Sequence, residues 1–219
     1  MLGGYEPVTL EEVKSYKPTT NSISLGQVLH CPYNYEDTKL IVKEMTENIS
    51  LDLVDKNLVT NQIVLTVGYD IENLNNQDIK YTGEITTDRY GRKIPKHAHG
   101  TINLDHHTSS TKIIMDSTMK LYERIIDKNL LVRRINISAN NVIDENKAKL
   151  QKASEQLDLF GEFQKRENDL KEEQIERNLQ KSILDIKKKY GKNAIVKGMN
   201  LQEAGTAIAR NSQIGGHKE

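Results

Sequence analysis

The sequence has no tryptophan, only two phenylalanines and a single cysteine, Cys31. One cysteine excludes an internal disulfide, so a reducing cytoplasm is the simplest compartment. Because large aromatics are scarce, the core of this 219-residue chain must be built from Ile, Leu, Val and Met. No apolar run approaches the roughly 18 residues of a membrane-spanning helix, and we expect neither a membrane span nor a signal peptide.

Motifs for common enzymatic chemistry are also missing. The sequence contains no P-loop, no dinucleotide-binding glycine pattern and no recognisable Ser-His-Asp arrangement. Nucleotidyl transfer needs carboxylates clustered around two metal ions, whereas Asp52, Asp55 and Asp70 are scattered acids. We therefore expect no centre for nucleotidyl transfer and no cofactor in this chain.

Charge is balanced overall, with 31 basic and 31 acidic residues, but it is segregated along the chain. Residues 80–112 hold six basic against three acidic residues, together with four of the six histidines. Residues 144–176 hold ten acidic against six basic, and residues 177–219 reverse the balance with nine basic against three acidic. This segregation favours a phosphate-facing surface and a separate charged tail, although solvated loops and helix faces are an alternative for each region.

Periodicity predicts a β-α-β-β-α-β unit. Alternating apolar and polar residues predict strands over 21–29, 62–69, 99–104 and 132–140. The helices are predicted over 35–56, capped by Asn34, and from Thr108 or Ser109 to about Asp127. Their core stripes are predicted to be Ile41, Val42, Met45, Ile49 and Leu53 in the first helix, and Met115, Met119, Tyr122 and Ile126 in the second. The fold class is therefore α+β, a four-stranded sheet with both helices on one face.

The other sheet face is predicted to be rich in hydroxyl and amide groups. Its members are Ser22, Ser24, Thr66, Thr101, Asn103, Arg134 and Asn136. Such a face can donate many hydrogen bonds to phosphate oxygens. The alternative is an ordinary solvated face of an antiparallel sheet.

Two other regions have a different character. Residues 70–96 show no sustained period and read as a long excursion between strands, which is usually functional or disordered. Residues 162–190 predict a charged helix with a thin apolar stripe of Ile175, Leu179, Ile183 and Ile186, suited to weak docking or to pairing with a partner. The remaining residues to 219 are basic and Gly-rich.

Histidines suggest a second function, a metal-dependent hydrolase. His97, His99, Asp105, His106 and His107 could supply nitrogen and carboxylate ligands. However, His99 is predicted on the polar sheet face, and His106 and His107 are predicted in a turn. We therefore expect phosphate contacts or solvent exposure for these histidines rather than a metal site.

An isolated apolar cluster lies in the polar stretch after Asp144. It consists of Gln156, Leu157, Asp158, Leu159 and Phe160. A short peptide with apolar anchors in a polar tether suits docking into a hydrophobic pocket of a partner, with ordering only on binding. A packing contact back onto the domain is the alternative.

These motifs together resemble a known family. The peptide 156–160 looks like the pentapeptide by which bacterial polymerases and repair proteins hold the sliding clamp, and the unit before it resembles the little-finger domain of Y-family translesion DNA polymerases. The matching strand segments are 22–26, 62–67, 99–104 and 132–138, and the segments 190–200 and 213–218 resemble the tail of a DNA-repair branch of that family.

The resemblance implies a division of the chain and a set of partners. We expect a connector over 1–20, the little finger over 21–143, a linker with the clamp peptide over 144–162 and a helical, basic tail over 163–219. The family's palm and fingers, which bind magnesium, are not recognisable here, so catalysis is not transferred and magnesium would belong to that missing part. The implied partners are primer-template DNA and the sliding clamp, on the nucleoid in the cytoplasm. The residues expected to contact the DNA backbone are Ser22, Ser24, Lys96, His99, Thr101, Asn103 and Arg134.

A purely protein-interacting regulator is a third function. Its sheet face would show no affinity for DNA, which separates it from a DNA-binding module.

Overall fold

The computed structural model describes residues 9, 11, 21–76, 79, 81–149 and 163–212, with side chains from 171 onward in the last stretch. The strands are β1 (Ile23–Tyr33), β2 (Leu58–Tyr69), β3 (Ile85–Thr87), β4 (Lys93–Pro95), β5 (Ala98–Thr108), β6 (Val132–Asn140) and β7 (Ile143–Asp144). The helices are α1 (Tyr35–Asp55), α2 (Glu72–Asn75), α3 (Thr111–Ile125), α4 (Phe163–Tyr190) and α5 (Ala207–Asn211), with a 3-10 turn at Gly198–Leu201.

The long strands form an antiparallel sheet in the order β1-β6-β2-β5, and short β7 pairs with β2. Alternate residues of the two central strands are completely buried: Ile63, Leu65 and Val67 in β2, and Ile135 and Ile137 in β6. Both α1 and α3 pack on the face that carries these residues. The predicted α+β class, with two helices on one side of a four-stranded sheet, is confirmed.

Helix α1 forms as its sequence predicts. The Asn34 side chain accepts a hydrogen bond from Asp37 N at 2.9 Å, which satisfies one of the donors left free at the helix start. Glu36 and Asp37 in the first turn place negative charge at the positive end of the helix dipole. The predicted stripe, from Ile41 to Leu53, is fully buried. This helix is therefore the main cover of the sheet.

Helix α3 differs from its prediction. It begins after Ser110, whose hydroxyl accepts from Ile113 N at 3.2 Å, and not after Thr108 or Ser109. Its deepest residues include Ile114 and Thr118, while the predicted Met115 and Met119 are only half-buried. Thr118 occupies the core because its hydroxyl donates to the Ile114 carbonyl at 2.7 Å, which removes the cost of burying it. A rule that counts apolar residues alone cannot find such a position.

The excursion between β2 and β5 contains regular structure that its sequence did not reveal. Helix α2 follows β2, and β3 and β4 then form a short hairpin that packs near α2 and β2. Each hairpin strand has three residues. Such short strands carry too few residues for an alternating pattern to be recognisable. The long excursion predicted between the two strands is present, and within it the described residues form a short helix and a hairpin.

The tail helix α4 docks through polar side chains. Arg177, which is buried, donates to Ser109 Oγ at 2.7 Å and pairs with the Glu145 carboxylate. Glu176 accepts from Ser110 Oγ at 2.5 Å, next to the start of α3. Of the predicted apolar stripe of α4, Ile175 and Leu179 are 69% and 59% exposed, whereas Ile183 is half-buried.

The end of the described chain is fixed by one carboxylate. Glu44 of α1 is 2% exposed. It accepts hydrogen bonds from Asn200 Nδ2 at 3.0 Å, from Thr206 N at 2.9 Å and from Ala207 N at 3.0 Å, at the start of α5. The described part of the tail thus packs on the helical side, and no described residue of it covers the opposite sheet face. No helix in the described ranges is long and apolar enough to cross a membrane. The four-part division of the chain stays a prediction.

Candidate nucleic-acid interface

The uncovered side of the sheet, called the open face below, presents side chains in rows across the four strands. Each strand contributes the residues that alternate with its buried ones. They are Ser24, Gly26 and Val28 of β1, Arg134, Asn136, Ser138 and Asn140 of β6, Gln62, Val64, Thr66 and Gly68 of β2, and His99, Thr101 and Asn103 of β5.

Cross-strand hydrogen bonds hold several of these side chains. Ser24 and Ser138 share a hydroxyl contact of 2.6 Å. Thr66 Oγ1 lies 2.9 Å from His99 Nδ1. Near the other end of the strands, Gln62 donates to Asn103 Oδ1 at 2.9 Å. These bonds fix polar groups in position before any ligand arrives, which lowers the entropy lost on binding.

Two glycines leave room for the largest polar groups of the face. Gly68 is opposite Arg134, and a Cβ there would lie 3.3 Å from the Arg134 Cβ. Gly26 is opposite Asn136, and a Cβ there would lie 2.6 Å from Asn136 Oδ1. Any larger residue at Gly26 would therefore displace the amide. Gly26 therefore leaves room for the Asn136 amide, and Gly68 leaves room beside the Arg134 side chain.

The paired positions of the open face carry positive charge, and the exposed acid Asp105 lies beyond them, in the part of β5 between the pairs Gln62–Asn103 and Thr60–Thr108. Arg134 is exposed and carries the one formal charge among the residues paired in register on this face, and none of these described positions is acidic. Within the described part of the chain, no hydrogen bond or ion pair is formed by the guanidinium of Arg134, the amide of Asn136 or the hydroxyl of Thr101. These groups are available as donors to an acceptor-rich ligand.

Five of the residues predicted to contact DNA lie together on this face: Ser24, His99, Thr101, Asn103 and Arg134. Ser22 is exposed just before β1. Lys96 lies outside the sheet, before β5, and forms an ion pair of 2.7 Å with Glu84. That hydrogen bond raises the pKa of Lys96 above its usual value. Lys96 therefore stays charged at the end of the sheet where β5 begins.

Three further members of the face were not among the residues predicted to contact DNA. Gln62, Ser138 and Asn140 lie beside predicted residues in the same rows. All three lie within the predicted strands 62–69 and 132–140 and alternate with buried residues. The alternation already places Gln62 and Ser138 on the outward face, so the choice of DNA contacts was incomplete and the strand prediction was not.

A family model described as the impB/mucB/samB family C-terminal domain matches residues 17–159. The chain belongs to this family. The match includes β1, α1, β2, β5, α3 and β6. It confirms the resemblance to the C-terminal part of Y-family DNA polymerases.

Several solved structures are similar to this impB/mucB/samB domain. A Y-family DNA polymerase chimera of Dbh and Dpo4 is 15% identical, covering 58% of this chain and 30% of its own, with a TM-score of 0.35. A post-insertion binary complex of Dbh DNA polymerase is 18% identical, over 61% and 33%, with a TM-score of 0.34. DinB from Sulfolobus solfataricus is 20% identical, over 60% and 33%, with a TM-score of 0.32. The chain spans about a third of the length of these proteins. No curated protein matches it.

The histidines of the impB/mucB/samB domain do not meet at one point: the His97 and His99 ring centroids are 6.4 Å apart, and His106 and His107 lie in β5 and not in the predicted turn. His99 is on the open face, His106 Nε2 lies 2.8 Å from Glu173 Oε1, and His107 Nε2 lies 3.2 Å from the Asn141 carbonyl oxygen. Among the described residues, no three His, Cys, Asp or Glu side chains converge as metal ligands. The geometry therefore gives the metal-dependent hydrolase no support. The clamp peptide 156–160 lies outside the described residues.

Proposed function

We propose that the open face holds DNA by its sugar-phosphate backbone, without reading base sequence. The observation that carries this proposal is the concentration of hydroxyl, amide and guanidinium donors on a face without acidic groups at its paired positions. Hydroxyl, amide and arginine side chains are the usual partners of phosphate oxygens. The described open face consists of strand side chains and carries no helix that could enter a groove, so its contacts are expected to position DNA and not to specify its sequence.

The wider role follows from the family. We propose that the domain acts as the little finger of a Y-family translesion polymerase, with catalysis by a palm domain that binds magnesium. Residues 156–160 are proposed to attach it to the sliding clamp, which would raise its local concentration at the primer terminus. The support for the clamp contact is the peptide sequence itself: three large apolar residues and a glutamine in a polar stretch. A role in the response to DNA damage rests on this same assignment.

The phosphate contacts are tested by removing the charge of the open face. Arg134→Ala should weaken binding of the full chain to duplex DNA by about 1.5 kcal/mol, or roughly tenfold, because a hydrogen bond to a charged group is lost. The loss should be equal for unrelated sequences, and the slope of log affinity against log salt should fall by about one. Fluorescence anisotropy at several salt concentrations measures both quantities.

Lys120→Ala is the matched control, since Lys120 is exposed on α3 on the far side of the sheet. It removes one positive charge and should leave affinity and slope nearly unchanged. Equal effects of the two variants would show that only net charge matters, and the open face would lose its role. A chain with no affinity for any DNA would favour the protein-interacting regulator.

A further inference from the structure

The tip of the β3–β4 hairpin is an exposed feature outside the open face whose backbone is held by several hydrogen bonds. Its strands pair Ile85 with Pro95 and Thr87 with Lys93, and its turn spans residues 88–92. In the sequence the hairpin lies between β2 and β5, which pair directly with each other in the sheet. Lys96, which follows it directly, donates its backbone N–H to the Glu84 carbonyl at 2.8 Å and closes the base of the hairpin.

One carboxylate organises the turn. Asp88 accepts from the backbone N–H groups of Tyr90 and Arg92 at 2.9 Å each and from Arg92 Nε at 2.8 Å. Partial desolvation opposes its ionisation, but the hydrogen bonds from Arg92 and Tyr90 outweigh this effect and lower the pKa of Asp88. Gly91 supplies the positive φ of +78° that the turn requires. The tip is therefore shaped before it meets any partner.

An aromatic ring is held outward at this tip. Tyr90 is 67% exposed, so its ring contributes little to the core of the domain. The guanidinium carbons of Arg89 and Arg92 lie 4.8 Å and 5.2 Å from the ring centroid, and Arg89 Nη2 donates to Tyr90 Oη at 2.8 Å. These contacts orient the ring and leave most of its surface open.

The surroundings of the ring are basic. Residues 84–96 contain Arg89, Arg92, Lys93 and Lys96 against two acids, Glu84 and Asp88, and Glu84 forms a 2.7 Å ion pair with Lys96. Asp88 balances Arg92 through a 2.7 Å ion pair. An oriented, exposed aromatic among cations is the combination that binds single-stranded nucleic acid, because every base has a face that stacks and every nucleotide has a phosphate.

We propose that Tyr90 is a stacking platform for an unpaired nucleobase of DNA, with Arg89 and Arg92 against the neighbouring phosphates. This inference rests on the proposed function, since it assumes that DNA lies on the open face. The hairpin leads into β5, whose first open-face residue is His99, so the base of the hairpin adjoins the end of the open face where β5 begins. A paired base cannot stack on Tyr90, because its faces are already covered within the duplex.

The absence of tryptophan from the chain permits a direct test. Tyr90→Trp gives the full chain a single indole at the tip, and Tyr190→Trp gives the matched control. Tyr190 is also 67% exposed and also has a cation, Lys189 Nζ, 5.1 Å from its ring centroid. We expect a single-stranded oligodeoxynucleotide to quench the emission of the Tyr90→Trp variant strongly. A fully paired duplex should change it little, and the Tyr190→Trp variant should respond to neither.

A loss-of-function variant completes the experiment. Tyr90→Ala should weaken binding of single-stranded DNA by about tenfold, the contribution of one stacked base, and should leave duplex affinity and the melting temperature unchanged. Equal quenching at both tryptophan positions, or unchanged single-strand affinity in Tyr90→Ala, would overturn the proposal.

The two proposals fail differently. If duplex DNA does not bind and Arg134→Ala has no effect, the open-face assignment fails. If Tyr90→Ala still weakens the binding of single-stranded DNA in that case, the proposal that Tyr90 stacks on a base is retained. If duplex binding depends on Arg134 but single-strand binding does not depend on Tyr90, only the inference about the tip is wrong.

Discussion

Replacing both Leu159 and Phe160 by alanine is expected to abolish measurable binding of the chain to the bacterial sliding clamp. Truncating one large anchor buried at an interface typically costs upward of about 2 kcal/mol, so two anchors together correspond to roughly a thousandfold in affinity. Gln156 and Leu157 would remain but would hold the peptide too weakly to detect. Calorimetric titration of purified clamp into each variant measures the loss.

The control for this prediction is Leu201→Ala, which removes an apolar side chain that is 70% exposed elsewhere in the tail. Clamp binding should survive that change, and DNA affinity should survive both. The competing interpretation is that Leu159 and Phe160 pack onto the domain itself. It predicts a lower melting temperature for the double variant and no heat of binding from the unchanged chain, and that pair of results would refute the assignment.

The second large effect is expected at the docked tail helix. Arg177→Ala should lower the free energy that keeps α4 docked by about 3 kcal/mol, because it removes one partner of a buried ion pair. The arginine side chain is 6% exposed and its partner Glu145 is 20% exposed. Hydrogen exchange of the α4 amides should accelerate by roughly a hundredfold, while the amides of β2 and β6 keep their protection.

Lys181→Ala is the matched control, since Lys181 lies one turn further along α4 and is exposed. It should leave exchange in α4 unchanged. Unaltered protection of α4 in Arg177→Ala would mean that the ion pair does not hold the helix. Glu145→Gln should reproduce most of the loss, and the double variant should lose less than the sum of the two single changes.

The docking of α4 is expected to weaken as the pH falls. Burial opposes ionisation of Glu145, but hydrogen bonding to Lys149 and the charge of Arg177 outweigh it and lower the pKa of this carboxyl below 4.5. Because the pKa of Glu145 is lower in the folded state, its carboxylate contributes fully to the docking of α4 at pH values above the pKa of the unfolded chain. That contribution is lost as the pH falls through the pKa of the folded state. Protection of α4 should therefore weaken only under acidic conditions.

The elements that the sequence predicts well are those whose residues follow one simple pattern. In α1 and β6, buried positions are apolar and recur at the helix or strand period, so the stripe from Ile41 to Leu53 and the bounds Val132–Asn140 could be read directly. In α3 the pattern fails because Thr118 is buried in the core, where its hydroxyl donates a hydrogen bond to the Ile114 carbonyl. Polar residues that bond locally are invisible to hydrophobic periodicity.

The docking of α4 could not be predicted for a related reason. The apolar stripe of Ile175 and Leu179 indicated the contact face, whereas the helix docks through Arg177 and Glu176. Their partners, the serines at the start of α3, are more than 60 residues away in sequence. Contacts between specific polar groups so distant along the chain leave no periodic signal. The hairpin that carries Tyr90 was not predicted either, because its strands are too short to show an alternating pattern.

The central claim is that DNA lies on the open face, and amide chemical shifts test it most directly. Duplex DNA is titrated into the isotopically labelled full chain, and the perturbed amides are assigned. The account predicts that shifts concentrate in β1, β6, β2 and β5 around Ser24, Asn136, Thr66 and Thr101, and that the outer surfaces of α1 and α4 stay unchanged. Perturbations confined to the helical side or the tail, with the open face silent, would contradict it.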